Sequence, residues 1–84
     1  MTGLLGKVLC ETVTDDERAI ILFVAEGCSA KEIANRTHFT PRTIERKIET
    51  IRIKMHAKNS AHMVACAFKY GLIDRFARIP QETD

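Results

Sequence analysis

The sequence predicts an all-α fold of four short helices. Three observations carry that prediction. Apolar residues recur at helical spacing in four runs, each run opens near a helix-capping residue, and two of the runs close on a glycine. No stretch alternates with strand period for long enough to compete, and no internal repeat is present. Only two prolines and four glycines interrupt the 84 residues, so long regular elements are expected.

The first core helix starts at Thr14. Thr14 and Glu17 form a T-x-x-E capping box, Asp15 and Asp16 sit in the positively polarised first turn, and Val13 stands before the cap as a staple residue. Ile20, Ile21 and Val24 then recur at helical spacing, and Gly27 is placed to end the helix in the left-handed conformation. The second helix opens on another capping box, Ser29 with Glu32, and runs to about Arg36 with Ile33 and Ala34 inward. Thr37 to Phe39 make a tight connection.

The third helix opens on Thr40, with Pro41 at its first position, where a missing N–H costs nothing. Ile44, Ile48, Ile51 and Met55 form one narrow apolar stripe. Arg42, Glu45, Arg46, Glu49 and Ile53 lie opposite, and Thr43, Lys47, Thr50 and Lys54 follow one flank. Ile53 points away from the stripe and has no role in the core on this pattern.

His56 to Asn59 connect to a fourth helix, from about Ser60 to Tyr70, which Gly71 ends. It carries two apolar stripes: Ala61, Val64, Ala65 and Phe68 on one side, Met63, Cys66, Ala67 and Tyr70 on another. A short terminal helix in a small domain does not easily bury both, so one is a candidate contact with a second chain. Three segments result: an N-terminal extension (1–12) with a possible helical turn through Leu4, Leu5, Val8 and Leu9, a core domain (13–73), and a C-terminal tail (74–84), frayed from Pro80 onward.

Hydrophobic residues at 45% and charged residues at 29% fit one folded domain rather than a disordered tail. The net charge of +2 says little, but its distribution says more. Between Lys31 and Lys58 stand eight basic residues (Lys31, Arg36, Arg42, Arg46, Lys47, Arg52, Lys54, Lys58) against three acidic ones (Glu32, Glu45, Glu49). The remainder holds five basic and eight acidic residues. A basic middle between acidic flanks suits a polyanion, as it also suits a solvated helix face.

Cys10, Cys28 and Cys66 are odd in number, far apart and without a C-x-x-C pair; free thiols in a reducing compartment are expected. His38, His56 and His62 make no metal spacing with them, so no metal and no cofactor is expected. No segment reaches the roughly 18 apolar residues of a membrane span. Nor does the start have the form of a secretory signal, and a cytoplasmic protein is expected, with no membrane partner. No glycine-rich phosphate loop or nucleophile–base pair points to an enzyme.

A short capped helix, a three-residue turn and a longer helix with a basic outer side make a helix-turn-helix. The second helix of such a pair lies in the DNA major groove, which admits one α-helix and displays a distinct donor–acceptor pattern for each base pair. The residues also resemble a known family. Val13-Thr14-Asp15-Asp16-Glu17-Arg18 and Val24-Ala25-Glu26-Gly27-Cys28-Ser29-Ala30-Lys31-Glu32-Ile33-Ala34 are similar to the LuxR-type pattern L-T-x-x-E … A-E-G-x-S-x-K-E-I-A. Thr40-Pro41-Arg42-Thr43-Ile44-Glu45 resembles the family's S-P-R-T-V-E recognition helix. Ile51 to Met55, Asn59-Ser60, Val64 and Gly71-Leu72-Ile73 extend the similarity across most of the chain.

The resemblance implies a bacterial four-helix domain that binds double-stranded DNA as a homodimer, with its third helix in the major groove and its fourth helix at the dimer contact. Such domains usually follow a receiver or sensor. The 84 residues leave no room for either, so a stand-alone member or an excised effector domain is expected. The recognition helix spans about Pro41 to Met55. Glu45, Arg46 and Glu49 are expected to face base edges, since arginine pairs with guanine and glutamate accepts from cytosine N4. Many relatives carry Lys where Glu45 stands and His where Lys47 stands, whereas a FixJ-like branch carries Glu at the first of these.

Thr40, Arg42, Thr43, Lys47 and Lys54, with Lys31 and Lys58 at the edges, are expected to meet the DNA backbone, which positions without specifying sequence. Thr40 also serves as the helix cap. Ala61, Ala65 and Phe68 are expected at the dimer contact, because the family's common A-V pair falls on Met63-Val64 and turns that pair inward. Two alternatives remain open at this point: an interaction protein that forms a heterodimer with a full-length LuxR-type regulator and inhibits it, and, less favoured by the motif, a sigma-factor-like promoter-binding module.

Overall fold

The computed structural model describes residues 12–74 and residue 76. They form α1 (Asp15–Ala25), α2 (Ala30–Asn35), α3 (Pro41–Lys54) and α4 (Ser60–Lys69), with no strand among the described residues. The expected all-α architecture is the observed one. The helical turn anticipated through Leu4, Leu5, Val8 and Leu9, and the tail from Pro80, lie outside the described residues.

Each helix starts where a side chain takes over the first unpaired N–H groups. Thr14 accepts from the Glu17 N–H at 3.1 Å while Glu17 Oε1 accepts from the Thr14 N–H at 2.9 Å. Ser29 and Glu32 repeat the exchange at 3.2 and 2.8 Å. Both predicted capping boxes are therefore present. Thr40 caps α3 by accepting from the Thr43 N–H at 3.1 Å, with Pro41 in the first helical position. Asn59, which the sequence suggested only as part of a connection, caps α4 by accepting from the His62 N–H at 2.8 Å.

Three of the helices end alike. After α1, Gly27 takes φ +87° and the Cys28 N–H returns to the Phe23 carbonyl at 3.0 Å. After α4, Gly71 takes φ +78° and the Leu72 N–H returns to the Ala67 carbonyl at 2.8 Å. After α3 the same left-handed position is held by His56, at φ +57°, with the Ala57 N–H on the Arg52 carbonyl at 2.9 Å. Each is a Schellman ending, in which a left-handed residue lets the chain pay back the last free carbonyls.

The core is one cluster. Ile20 and Ile21 of α1, Ile33 of α2, Ile44 and Ile51 of α3 and Met63 of α4 are fully buried. Each contributes about 1.5–3 kcal/mol relative to exposure. Val13, Phe23, Ala34, Met55, Ala57, Cys66, Ala67, Leu72 and Ile73 complete the cluster. Val24 and Ile48, expected in the core, are only half-buried and pack against it. Helix α3 lies against both α1 and α2, while α4 packs chiefly on α1. That arrangement leaves one long side of α3 and one side of α4 outside. No helix among the described residues is long and apolar enough to cross a membrane.

Candidate nucleic-acid interface

Burial of Ile44 and Ile51 fixes the rotation of α3, and that rotation decides which residues remain outside. Arg42, Glu45, Arg46, Glu49 and Thr50 are exposed, and Ile53 is 59% exposed. The apolar stripe and the charged side therefore fall where the periodicity put them. Thr43 and Lys47 are half-buried on the flank. The Thr40 hydroxyl donates to the Thr43 hydroxyl at 3.0 Å, so the two threonines at the start of α3 hold each other.

The flank opens into a cleft of about 350 Å³ between α1 and α3, lined by Glu17, Thr43, Arg46, Lys47 and Thr50. Two cations and two hydroxyls meet there beside one carboxylate. Glu17 does not leave that carboxylate uncompensated. Lys54 Nζ donates to its two oxygens at 2.8 and 3.0 Å and to the Thr12 carbonyl at 2.9 Å. Partial burial alone pushes the Glu17 carboxyl up. The Lys54 and Thr14 hydrogen bonds and the nearby Lys54 charge outweigh it and bring the carboxyl below its ordinary value of 4.5.

Two aromatic rings place further cations. Lys47 Nζ lies 4.7 Å from the centroid of Phe39, and the Arg36 guanidinium lies 5.2 Å from that of Phe23. Phe39 itself is seated by the turn, where its N–H donates to the Thr37 hydroxyl at 3.2 Å. Lys31 on α2 and Lys58 after α3 are exposed.

Of the residues expected to meet DNA, the structure groups Arg42, Thr43, Glu45, Arg46 and Lys47 on the outer side and flank of α3, with Thr40 at its start. Two of the others have partners within the domain. Lys54 is engaged by Glu17, and Glu49 accepts two bonds from Arg52, at 3.0 and 2.6 Å. The Arg52 hydrogen bonds hold the Glu49 carboxyl below its ordinary range and raise Arg52 in turn.

Sequence reasoning passed over Arg36, Thr50 and Arg52. An arginine beside Thr37 carries no signal that it will lie over Phe23, thirteen residues back. Arg52 did carry one: Glu49 stands three residues before it, at helical pairing distance.

On α4 the exposed apolar residues are Ala61, Ala65 and Phe68, the last 45% exposed, while Met63, Cys66 and Ala67 are buried. Val64, expected in the stripe with Ala61, Ala65 and Phe68, and Tyr70, expected in the other, are both half-buried. Cys28 and Cys66 are free thiols. Cys10 lies outside the described residues.

Comparison with known proteins agrees with this geometry. The family described as bacterial regulatory proteins, luxR family, matches residues 11–67. The response regulator protein VraR of Staphylococcus aureus (strain NCTC 8325 / PS 47) is 34% identical over 65 residues, 77% of this chain and 31% of that protein. The proteins of the same name in Staphylococcus saprophyticus and Staphylococcus epidermidis match to the same extent. The chain thus spans about a third of the length of these curated relatives. No solved structure matches significantly.

Proposed function

The chain belongs to the luxR family of bacterial regulatory proteins and carries its DNA-binding helix-turn-helix, and from that premise we propose that it is a sequence-specific transcription regulator acting in the cytoplasm on double-stranded DNA. In this reading α3 enters the major groove with Arg46 and Glu45 toward base edges. Arginine forks onto guanine, and a glutamate accepts from cytosine N4. Thr40, Arg42, Thr43 and Lys47 grip the backbone along the same helix, with Lys31 and Lys58 at the two ends of the contact. Lys54 joins them only by giving up Glu17.

The observation that carries the reading is the outer side of α3, a capped helix whose unburied surface is mostly charged and opens on a cleft with two cations and two hydroxyls. The other three helices pack behind it, so it meets the groove preformed.

The apolar side of α4 supports a homodimer through Ala61, Ala65 and Phe68. Two copies related by a two-fold axis then present two α3 helices to half-sites about 10 base pairs apart. Selection from a random duplex pool, followed by a salt titration of the winner, tests the proposal. A two-fold motif whose affinity falls steeply with salt is the expected result. Absence of any enriched sequence would remove it, and binding by a paired full-length regulator alone would point instead to an interaction protein.

A further inference from the structure

The turn between α3 and α4 is fastened from both sides. The Ala57 N–H donates to the Arg52 carbonyl at 2.9 Å, and Arg52 Nη1 donates back to the Ala57 carbonyl at 2.8 Å. The other two guanidinium nitrogens, Nε and Nη2, donate to the two oxygens of Glu49 at 3.0 and 2.6 Å. Every nitrogen of this guanidinium therefore has a partner within the domain. One residue beyond Ala57, the Lys58 N–H donates to His62 Nδ1 at 2.9 Å, and Asn59 caps α4. A continuous run of bonds thus leads from Glu49, on the outer side of α3, to the first turn of α4. It passes over His56, which holds a left-handed φ of +57°, uncommon for a residue other than glycine.

An exposed i,i+3 ion pair by itself contributes little. This one differs in form. The fork is bidentate, which fixes the plane of the guanidinium, and the third arm reaches the carbonyl of a residue that is 4% exposed. Glu49 aims Arg52, and Arg52 ties the last turn of α3 to Ala57 in the turn that leads into α4.

We infer that Glu49 is a positioning residue which, through Arg52 and Ala57, fixes the angle between the helix that enters DNA and the helix that pairs two copies, and that it does not read a base. The inference rests on the DNA-binding reading above. In a two-fold pair the α3–α4 angle sets how far apart and in what orientation the two α3 helices stand. A domain with the clamp opened still engages one half-site. Engaging both at once becomes harder, because each α3 must first be brought back to its angle. Base choice stays with Arg46 and Glu45.

The test uses the intact chain and its Glu49→Gln, Arg52→Lys and Glu45→Gln variants, each first shown by circular dichroism to be folded. Glutamine removes the ion pair, and lysine keeps the charge but cannot fork. Affinity is measured on two duplexes, one with the selected two-fold sequence and one with a single half-site.

Glu49→Gln and Arg52→Lys should each weaken binding to the two-fold duplex about five- to tenfold, the lower range of coupling between linked sites. Their single half-site affinity should change by less than about twofold, as for a surface pair, and the preferred bases should be unchanged. Glu45→Gln should shift the preferred base at one position and leave the ratio of the two affinities alone. A changed base preference in Glu49→Gln, or equal weakening on both duplexes, overturns the inference. Absence of sequence preference in the unsubstituted chain overturns the DNA-binding reading itself, and the inference with it.

Discussion

Helices α3 and α4 are built by the same rules and left with opposite surfaces. Both begin on a polar cap, both bury one side against α1, and both end on a left-handed residue. They differ in what burial leaves over. Helix α3 needs only a narrow stripe, Ile44, Ile51 and Met55 with half of Ile48, and its remaining surface is polar and mostly charged, apart from the exposed Ile53 near its end. Helix α4 buries Met63, Cys66 and Ala67 and still exposes Ala61, Ala65 and Phe68. A charged leftover of mixed sign suits a groove with patterned donors and acceptors, and an apolar leftover suits another apolar surface. The difference teaches that in so small a domain the core settles orientation, while the unburied side of each helix settles the kind of partner.

The sharpest way to break the comparison is to invert α3. Replacing Arg46 and Lys47 together by glutamate should reduce DNA affinity by 100-fold or more, since a base contact is worth about 1–3 kcal/mol and the adjoining phosphate contact is lost with it. Thermal stability should change little, because Arg46 is exposed and Lys47 lies at the rim over the Phe39 ring. Electrophoretic mobility shift and calorimetry on the same samples check both halves; operator binding retained by the double variant would move the interface off α3.

The complementary change is Phe68→Asp on α4. An aromatic anchor at the centre of an interface typically carries about 2 kcal/mol or more. The variant should stay folded and bind DNA through single chains, with the protein mass in the complex about halved by sedimentation. A two-chain complex of unchanged mass would place the pairing surface elsewhere.

A smaller effect tests what links α3 to the rest of the domain. Glu17→Gln should cost about 1.5–3 kcal/mol, the worth of a hydrogen bond to a charged group, and should flatten the acid limb of stability. The sign follows from the carboxyl lying below its ordinary value of 4.5 when folded. Its contribution is complete above that ordinary value and is lost as pH falls through the lower folded one. Glu32 and Glu49 are lowered as well, so the unsubstituted chain should lose stability over the same acidic range through all three. Denaturant melts at pH 7, 5 and 3 measure this, and an acid limb identical in Glu17→Gln would assign the loss to the others.

Much of this was legible in the residues alone. Two capping boxes, Thr40-Pro41 and the glycine stops are local signals, and they gave α1, α2 and α3 their starts and α1 and α4 their ends. The stripe on α3 likewise follows from its own spacing. What was not legible depends on partners distant in the chain. Lys54 looks like one more basic residue on a flank until α1 brings Glu17, 37 positions earlier, against it. Arg36 over Phe23 is of the same kind. Glu49 is the instructive exception. Its partner is three residues away, at helical pairing distance, yet its exposed position on the proposed recognition helix makes base reading the natural expectation, and the bidentate Arg52 fork shows it engaged within the domain.

The smallest effect concerns the joint between the two helices. Gly27 and Gly71 occupy the left-handed position that ends α1 and α4, where an L side chain is strained. His56 occupies the equivalent position after α3 without that freedom. Glycine there would relieve the left-handed strain, but it would also widen the unfolded ensemble, and these terms oppose each other. Strain relief of about 1–2 kcal/mol against an entropy cost of about 0.4–1 kcal/mol leaves His56→Gly more stable by about 0.5–1 kcal/mol. A rise in melting temperature with unchanged affinity for a single half-site is the expected result. A fall would mean that the imidazole, which borders a cavity with His62, Cys66 and Tyr70, contributes packing worth more than the strain it brings.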